Sequence, residues 1–252
     1  MPKLNRDGVS IHYEIHGTGP AILLSHGYSA TCRMWDGQIA AFKDRHKVIV
    51  WDMRGHGESD YPTAAGAYSE TLTVADMAAI LDAAGETSAI VGGLSLGGYM
   101  TLAFHLRHPG RCRALMLFDT GPGFKKDEAR ETWNKRARDR GDNLDARGLA
   151  ALGASDEVRM SQHRSASGLA GAARGMLTQE NDGAIRSLET IAVPTLVLAG
   201  ANDTNFLAAT DYMAAKIPGA RKVIIPDAGH ASNLHQPVAF NRAMEDFLSS
   251  LG

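Results

Sequence analysis

The chain has 252 residues, 44% hydrophobic and 21% charged, as in an ordinary soluble globular protein; the length fits one large α/β domain or a core with a modest insertion. A formal net charge of −2 argues against a global basic field that would favour nucleic acid or an anionic membrane. The opening MPKLNRDGVS lacks a signal-peptide apolar run, no stretch is long enough to span a bilayer, and Cys32 and Cys112 are too few for a disulfide framework, so a cytoplasmic protein without membrane or nucleic-acid partners is expected.

Val9 to Ile15 alternates apolar and polar residues and reads as a strand, closed by a turn at Gly17, Gly19 and Pro20. AILLSHG and KVIVWD read as buried strands, with a helix around Met34 to Phe42 between them. LTVADMAAILDAAG is an amphipathic helix with Val74, Met77, Ala78, Leu81 and Ala84 on one face and Gly85 placed to cap it. SAIVGG predicts a strand, LGGYMTLAFHLRHP a helix stopped by Pro109, and RALMLFDT the next strand. From about 121 to 188 the rhythm changes to mixed charge with few β-branched residues, and the windows Glu128 to Arg140 and Glu157 to Gly175 read as short helices. This region is an insertion dividing a core of 1–120 and 189–252. TLVLAG resumes the core, followed by a helix around Phe206 to Ile217, the strand RKVIIP and the helix PVAFNRAMEDFLSSLG. Short apolar strands alternating with helices predict an α/β fold, a mostly parallel sheet with helices on both faces, and ligands beyond the carboxyl ends of its strands.

The loops that follow strands therefore carry the candidate chemistry. Gly93-Leu94-Ser95-Leu96-Gly97 is a G-x-S-x-G match between a strand and a helix. Its glycines give strand and helix room to approach, and the turn exposes the Ser95 hydroxyl at a helix N-terminus that favours developing negative charge. A phosphate loop is the alternative, but the lysine it requires is missing. Acyl transfer needs two oxyanion donors; the backbone N–H of Leu96 and that of Tyr28, after AILLSHG, are the candidates. Serine needs a base. His230 follows a late strand and satisfies the order nucleophile, acid, histidine. His26 and His56 read as structural, and His105, His108 and His163 as helical or capping. Asp203, after TLVLAG, is the preferred acid, and Asp119, after RALMLF, its alternative.

SHGYSATCRMW, WDMRGHGESD, GLSLGG, LVLAGANDTNF and DAGHASNLHQP together, in this order, resemble the α/β-hydrolase superfamily across nearly all of the chain outside the insertion. Within it they look most similar to the 3-oxoadipate enol-lactonase-like and small carboxylesterase group. The resemblance implies an α/β-hydrolase fold, a triad of Ser95, Asp203 and His230, an oxyanion hole of Tyr28 and Leu96, and a helical cap formed by the insertion. Two departures are visible. His235 stands where relatives often carry Glu, and the acid loop lacks the proline that often follows the Asp.

The expected function is hydrolysis of small carboxylic esters or lactones through an acyl-enzyme, by a monomer or small homo-oligomer, with no metal or organic cofactor; no cluster with zinc-ligand spacing is visible. Relatives of the same triad that hydrolyse carbon–carbon bonds, and sensors with a vestigial triad, are the alternatives. Leu94, Phe124, Trp133 and Phe206 are candidate pocket residues. Arg130, Arg136, Arg138 and Arg164 are candidates for a substrate carboxylate, with surface ion pairing as their other fate.

Overall fold

The computed structural model describes residues 3–64 and 66–252. Its strands are β1 (Lys3–Arg6), β2 (Val9–His16), β3 (Ala21–Ser25), β4 (Lys47–Trp51), β5 (Ala89–Leu94), β6 (Cys112–Phe118), β7 (Thr195–Gly200) and β8 (Arg221–Ile225). They form one sheet in the order β1-β2-β4-β3-β5-β6-β7-β8. Only β1 and β2 run antiparallel to their neighbours; β3 to β8 are parallel. The chain is thus α/β, as the alternation of elements implies.

Alternate residues of each strand feed two apolar layers. Leu23, Ile49, Val91, Leu117 and Val197 face a layer with helices α2 (Glu70–Ala83), α3 (Leu96–Arg107) and α8 (Leu207–Lys216). Ile22, Leu24, Val50, Phe118 and Leu198 face the layer of α1 (Asp36–Phe42) and α10 (Pro237–Leu248). Every residue of α3 from Leu96 to His105 is buried, so the helix behind Ser95 is fixed on all sides.

The segment between β6 and β7 is helical but differs from expectation in detail. Helix α4 (Asp127–Arg147) runs seven residues past the expected end, because Ala137, Gly141 and Leu144 continue its buried stripe. That stripe packs on α6 (Ala166–Gly175), where a Cβ on Gly141 would lie 3.1 Å from the Ala170 carbonyl oxygen. The second expected helix is two pieces, the single turn α5 (Asp156–Arg159) and α6. The chain between them is held to the core instead of helical: Arg164 N–H donates to Tyr61 Oη at 3.1 Å, and its guanidinium bonds to the Ser59 carbonyl at 2.5 Å. Strand β1 has no counterpart in the sequence reading, because KLNR carries a single apolar residue and gains its structure from pairing with β2. Two short helices, α7 (Gly183–Ser187) and α9 (Ser232–His235), complete the fold.

Candidate active site

The carboxyl ends of β3, β5, β6, β7 and β8 lead into the loops that carry His26, Ser95, Asp119, Asp203 and His230. Ser95 has φ +56° and ψ −116°, a region that non-glycine residues rarely occupy. Three close approaches impose it. A Cβ on Gly97 would lie 2.1 Å from the Ser25 carbonyl oxygen, one on Gly93 2.4 Å from the Gly97 carbonyl carbon, and one on Gly98 2.5 Å from Thr120 Cγ2. Ser95 N–H donates to the Phe118 carbonyl at 2.9 Å, and Thr120 Oγ1 donates to the Ser95 carbonyl at 2.6 Å. The serine backbone is therefore pinned while its side chain is left partly exposed.

His230 Nδ1 donates to Asp203 Oδ2 at 2.8 Å. Asp203 is buried at the end of β7, where Gly200 has no room for a Cβ: one would lie 2.4 Å from the carbonyl oxygens of Ala228 and Gly229. The acid loop and the histidine loop thus cross at van der Waals contact. Burial works against a charge on His230, but the Asp203 carboxylate outweighs it and raises the imidazole above its usual range. Phe206 stacks on the His230 ring, with centroids 5.1 Å apart. Ser95 and His230 are not hydrogen-bonded to each other.

Asp119 lies beside this pair but faces elsewhere. Its Oδ1 accepts from Gly200 N–H at 2.8 Å, and its Oδ2 accepts from Ser232 Oγ. Burial pushes its carboxyl up to about 7, against the lowering effect of those two bonds. His235 accepts Gly229 N–H on Nδ1 at 2.9 Å, and its Nε2 lies 3.3 Å from Asp156 Oδ2 in α5. The histidine therefore fastens the loop beside His230.

The N–H groups of Tyr28 and Leu96 donate to no group among the described residues. The Tyr28 phenol donates to the Leu169 carbonyl in α6 at 2.9 Å, and the Arg140 guanidinium lies 5.3 Å from the centre of its ring. Arg140 has no carboxylate partner among the described residues, whereas Arg130 pairs with Asp127 and Arg138 with Glu131. Arg164 lies over Tyr61. Arg136 has no carboxylate partner among the described residues either, so what singles out Arg140 is its place over the Tyr28 ring, which charge pattern does not reveal.

The proposed pocket residues divide. Phe206 lies on His230. Leu94 points away, into the layer with α1 and α10, because alternation along β5 sends it to that face. Phe124 and Trp133 pack on each other at 6.0 Å, and Trp133 Nε1 donates to the Leu177 carbonyl at 2.7 Å. His163, expected as helical or capping, lies between α5 and α6 and bonds to the loop after β3.

Elsewhere, Arg54 is a structural bonder, bidentate to buried Asp76 at 2.6 and 2.9 Å. The fold also brings His12, Glu14 and Cys32 donor atoms within 4.8 Å of one another, which residue spacing did not reveal. Arg33 bonds to both Glu14 and Cys32 and already supplies the positive charge this donor set calls for. Burial acts to raise the Glu14 carboxyl, and bonds from Arg33, His16 and His12 override it, holding it down at about 2. Cys32 and Cys112 are both free and buried.

Comparison with known proteins agrees with this architecture. The model of the α/β hydrolase fold matches residues 20–160. A Bacillus subtilis (strain 168) protein with the provisional name 2-succinyl-6-hydroxy-2,4-cyclohexadiene-1-carboxylate synthase is 31% identical, over 97% of this chain and 97% of that protein. 3-Oxoadipate enol-lactonase 1 of Acinetobacter baylyi is 28% identical, over 98% and 96%. The crystal structure of the enol-lactonase from Burkholderia xenovorans LB400 superimposes with a TM-score of 0.80 at 27% identity, covering 98% of this chain and 100% of that one. The chain belongs to the α/β hydrolase fold family and is a hydrolase.

Proposed function

We propose that this hydrolase cleaves small carboxylic esters or lactones through an acyl-enzyme on Ser95. The observation that carries the reading is the 2.8 Å bond between His230 and buried Asp203 on loops that meet beside the strained Ser95 turn. His230 Nε2 takes the Ser95 proton as Oγ attacks the substrate carbonyl. The Nδ1–H bond to Asp203 keeps Nε2 unprotonated and ready, and it stabilises the imidazolium that follows. The unengaged N–H groups of Tyr28 and Leu96 receive the oxyanion. His230 then protonates the leaving oxygen, and water, deprotonated by the same imidazole, releases the acid. Residues 121–188 act as the cap over this site.

Arg140 gives the substrate a chemical bias. It is a cation without a carboxylate partner among the described residues, beside the residue assigned as oxyanion donor, and the names of the two relatives given above contain a carboxylic acid. The preferred substrates carry a carboxylate besides the scissile ester or lactone. Arg140→Ala should raise KM about 10-fold for an ester bearing a free carboxylate and leave a neutral ester of the same length unchanged, consistent with loss of one charged hydrogen bond.

The deciding experiment is hydrolysis of p-nitrophenyl esters from acetate to octanoate, and of enol-lactones, by wild type and Ser95→Ala. Wild type should favour short acyl groups, and the substitution should remove activity by ~10⁴-fold or more, because a triad works as a unit. Activity that survives in Ser95→Ala rejects the mechanism. The 31% identity to the relative named as a synthase favours a second reading, the same residues catalysing formation of a cyclohexadiene carboxylate. Formation of that product class, with no turnover of esters and lactones, would select it.

A further inference from the structure

Three consecutive peptide groups in the turn after β3 are each gripped by a different histidine. The Gly27 carbonyl accepts from His26 Nδ1 at 2.7 Å and from Ala30 N–H at 3.1 Å. A trans amide points its C=O and N–H in opposite directions, so fixing the Gly27 oxygen aims the Tyr28 N–H. The next peptide donates Ser29 N–H to His56 Nε2 at 3.3 Å, and its Tyr28 carbonyl accepts from Ser29 Oγ at 2.6 Å. The third offers its Ser29 carbonyl to His163 Nε2–H at 2.9 Å.

The three rings form a row, His26 to His56 at 4.9 Å and His56 to His163 at 5.7 Å between centroids. Their other nitrogens all engage the backbone of the loop after β4. His26 Nε2 accepts from Met53 N–H at 2.9 Å, His56 Nδ1 donates to the Arg54 carbonyl at 3.0 Å, and His163 Nδ1 accepts from Gly57 N–H at 3.4 Å. Each ring donates once and accepts once, which only a neutral imidazole does. Ser29 sits at φ +60°, so the turn holds a conformation that a serine leaves unless its neighbours fix it. His26 and His56 come from the loops after β3 and β4, whereas His163 comes from between β6 and β7.

We propose that His163 is a positioning residue, which through the Ser29 carbonyl holds the turn that aims the Tyr28 N–H and so ties the residues covering the site to its oxyanion hole. The proposal rests on the reading of Tyr28 as an oxyanion donor. Burial holds His163 below the usual histidine range, which keeps the ring in the neutral form the geometry requires. The segment has other anchors, so removing the ring leaves it docked: Tyr28 Oη bonds to the Leu169 carbonyl, and Gly168 and Gly171 seat α6 against the rings of Tyr61 and Tyr68.

The test compares wild type, His163→Ala and His163→Gln, whose amide N–H replaces the Nε2 donor. The assays are steady-state ester hydrolysis and amide hydrogen exchange over residues 26–30. In His163→Ala, kcat should fall about 10- to 100-fold with KM within about threefold, the cost of a displaced catalytic group. Exchange in 26–30 should accelerate, and His163→Gln should restore both. Unchanged exchange in His163→Ala overturns the proposal whether or not any ester is turned over. So does equal loss of kcat in both variants, which would mark a packing role. Absence of Ser95-dependent turnover in wild type is a different result: it rejects Tyr28 as an oxyanion donor and the positioning role with it, even where exchange shows that His163 orders the turn.

Discussion

The two sides of the candidate site are held by opposite electrostatics. After β7 and β8, a carboxylate meets an imidazole, and Asp203 raises His230 despite its burial. After β3, none of the three histidine rings is hydrogen-bonded to a carboxylate among the described residues, and every bond they make is to backbone. Burial lowers all three, with His26 held at about 4. The difference matches the work proposed for each side. One must accept a proton during turnover, so it carries a counter-charge. The other must present N–H groups at fixed positions, so it stays neutral and rigid.

The strongest way to break this contrast is to remove the counter-charge. Asp203→Asn should lower kcat by ~10⁴-fold, as expected when the imidazole loses its orienting acid. Asp119→Asn should cost less than about tenfold, because Asp119 bonds to Gly200 and Ser232 and not to His230; a reversed order in the steady-state assay would make Asp119 the acid. The pH profile sharpens the same point. His230 must be neutral to act as base and its pKa is raised, so kcat/KM of wild type should fall on acidification with a midpoint above the ordinary 6.5. In Asp203→Asn that midpoint should move down.

The neutral side should show itself in stability. His26 has a folded pKa of about 4 against 6.5 unfolded. Between those values the unfolded chain binds more protons, so the contribution of His26 to stability is present at neutral pH and is lost as pH falls through the window. Glutamine cannot titrate there. The stability difference between wild type and His26→Gln, measured by urea unfolding at both ends of the window, should shrink by ~3 kcal/mol on acidification. A difference independent of pH would mean that burial does not hold the ring neutral.

Much of this organisation was legible in residue order. The apolar runs AILLS, KVIVW, AIVGGL and TLVLAG became β3, β4, β5 and β7 because a strand covered on both faces has no polar side. The strand–glycine–serine–glycine–helix order marked the strained turn, since a Cβ at Gly93 or Gly97 meets backbone. The 121–188 region was less legible. Its helices are charged on most faces, so the break at 160–165 follows from bonds to Ser59, Tyr61 and Ser29, distant in sequence. Leu94 and Phe206 look alike as apolar neighbours of catalytic candidates; only the side of the strand and the direction of the loop separate them.

By itself, then, the sequence determined the order of strands β2 to β8 and of the main helices between them, the serine turn, and the pool of acids and histidines on loops that follow strands. Those are local properties, set by side-chain periodicity and backbone sterics. Tertiary structure decided which acid meets His230, which arginine lies over the Tyr28 ring, and which histidine reaches the Ser29 carbonyl. Partners such as Ser29 and His163, 134 residues apart, become neighbours only when the sheet and the segment between β6 and β7 are assembled, and hydrogen bonds and charges act over a few ångströms of space, whatever the separation along the chain.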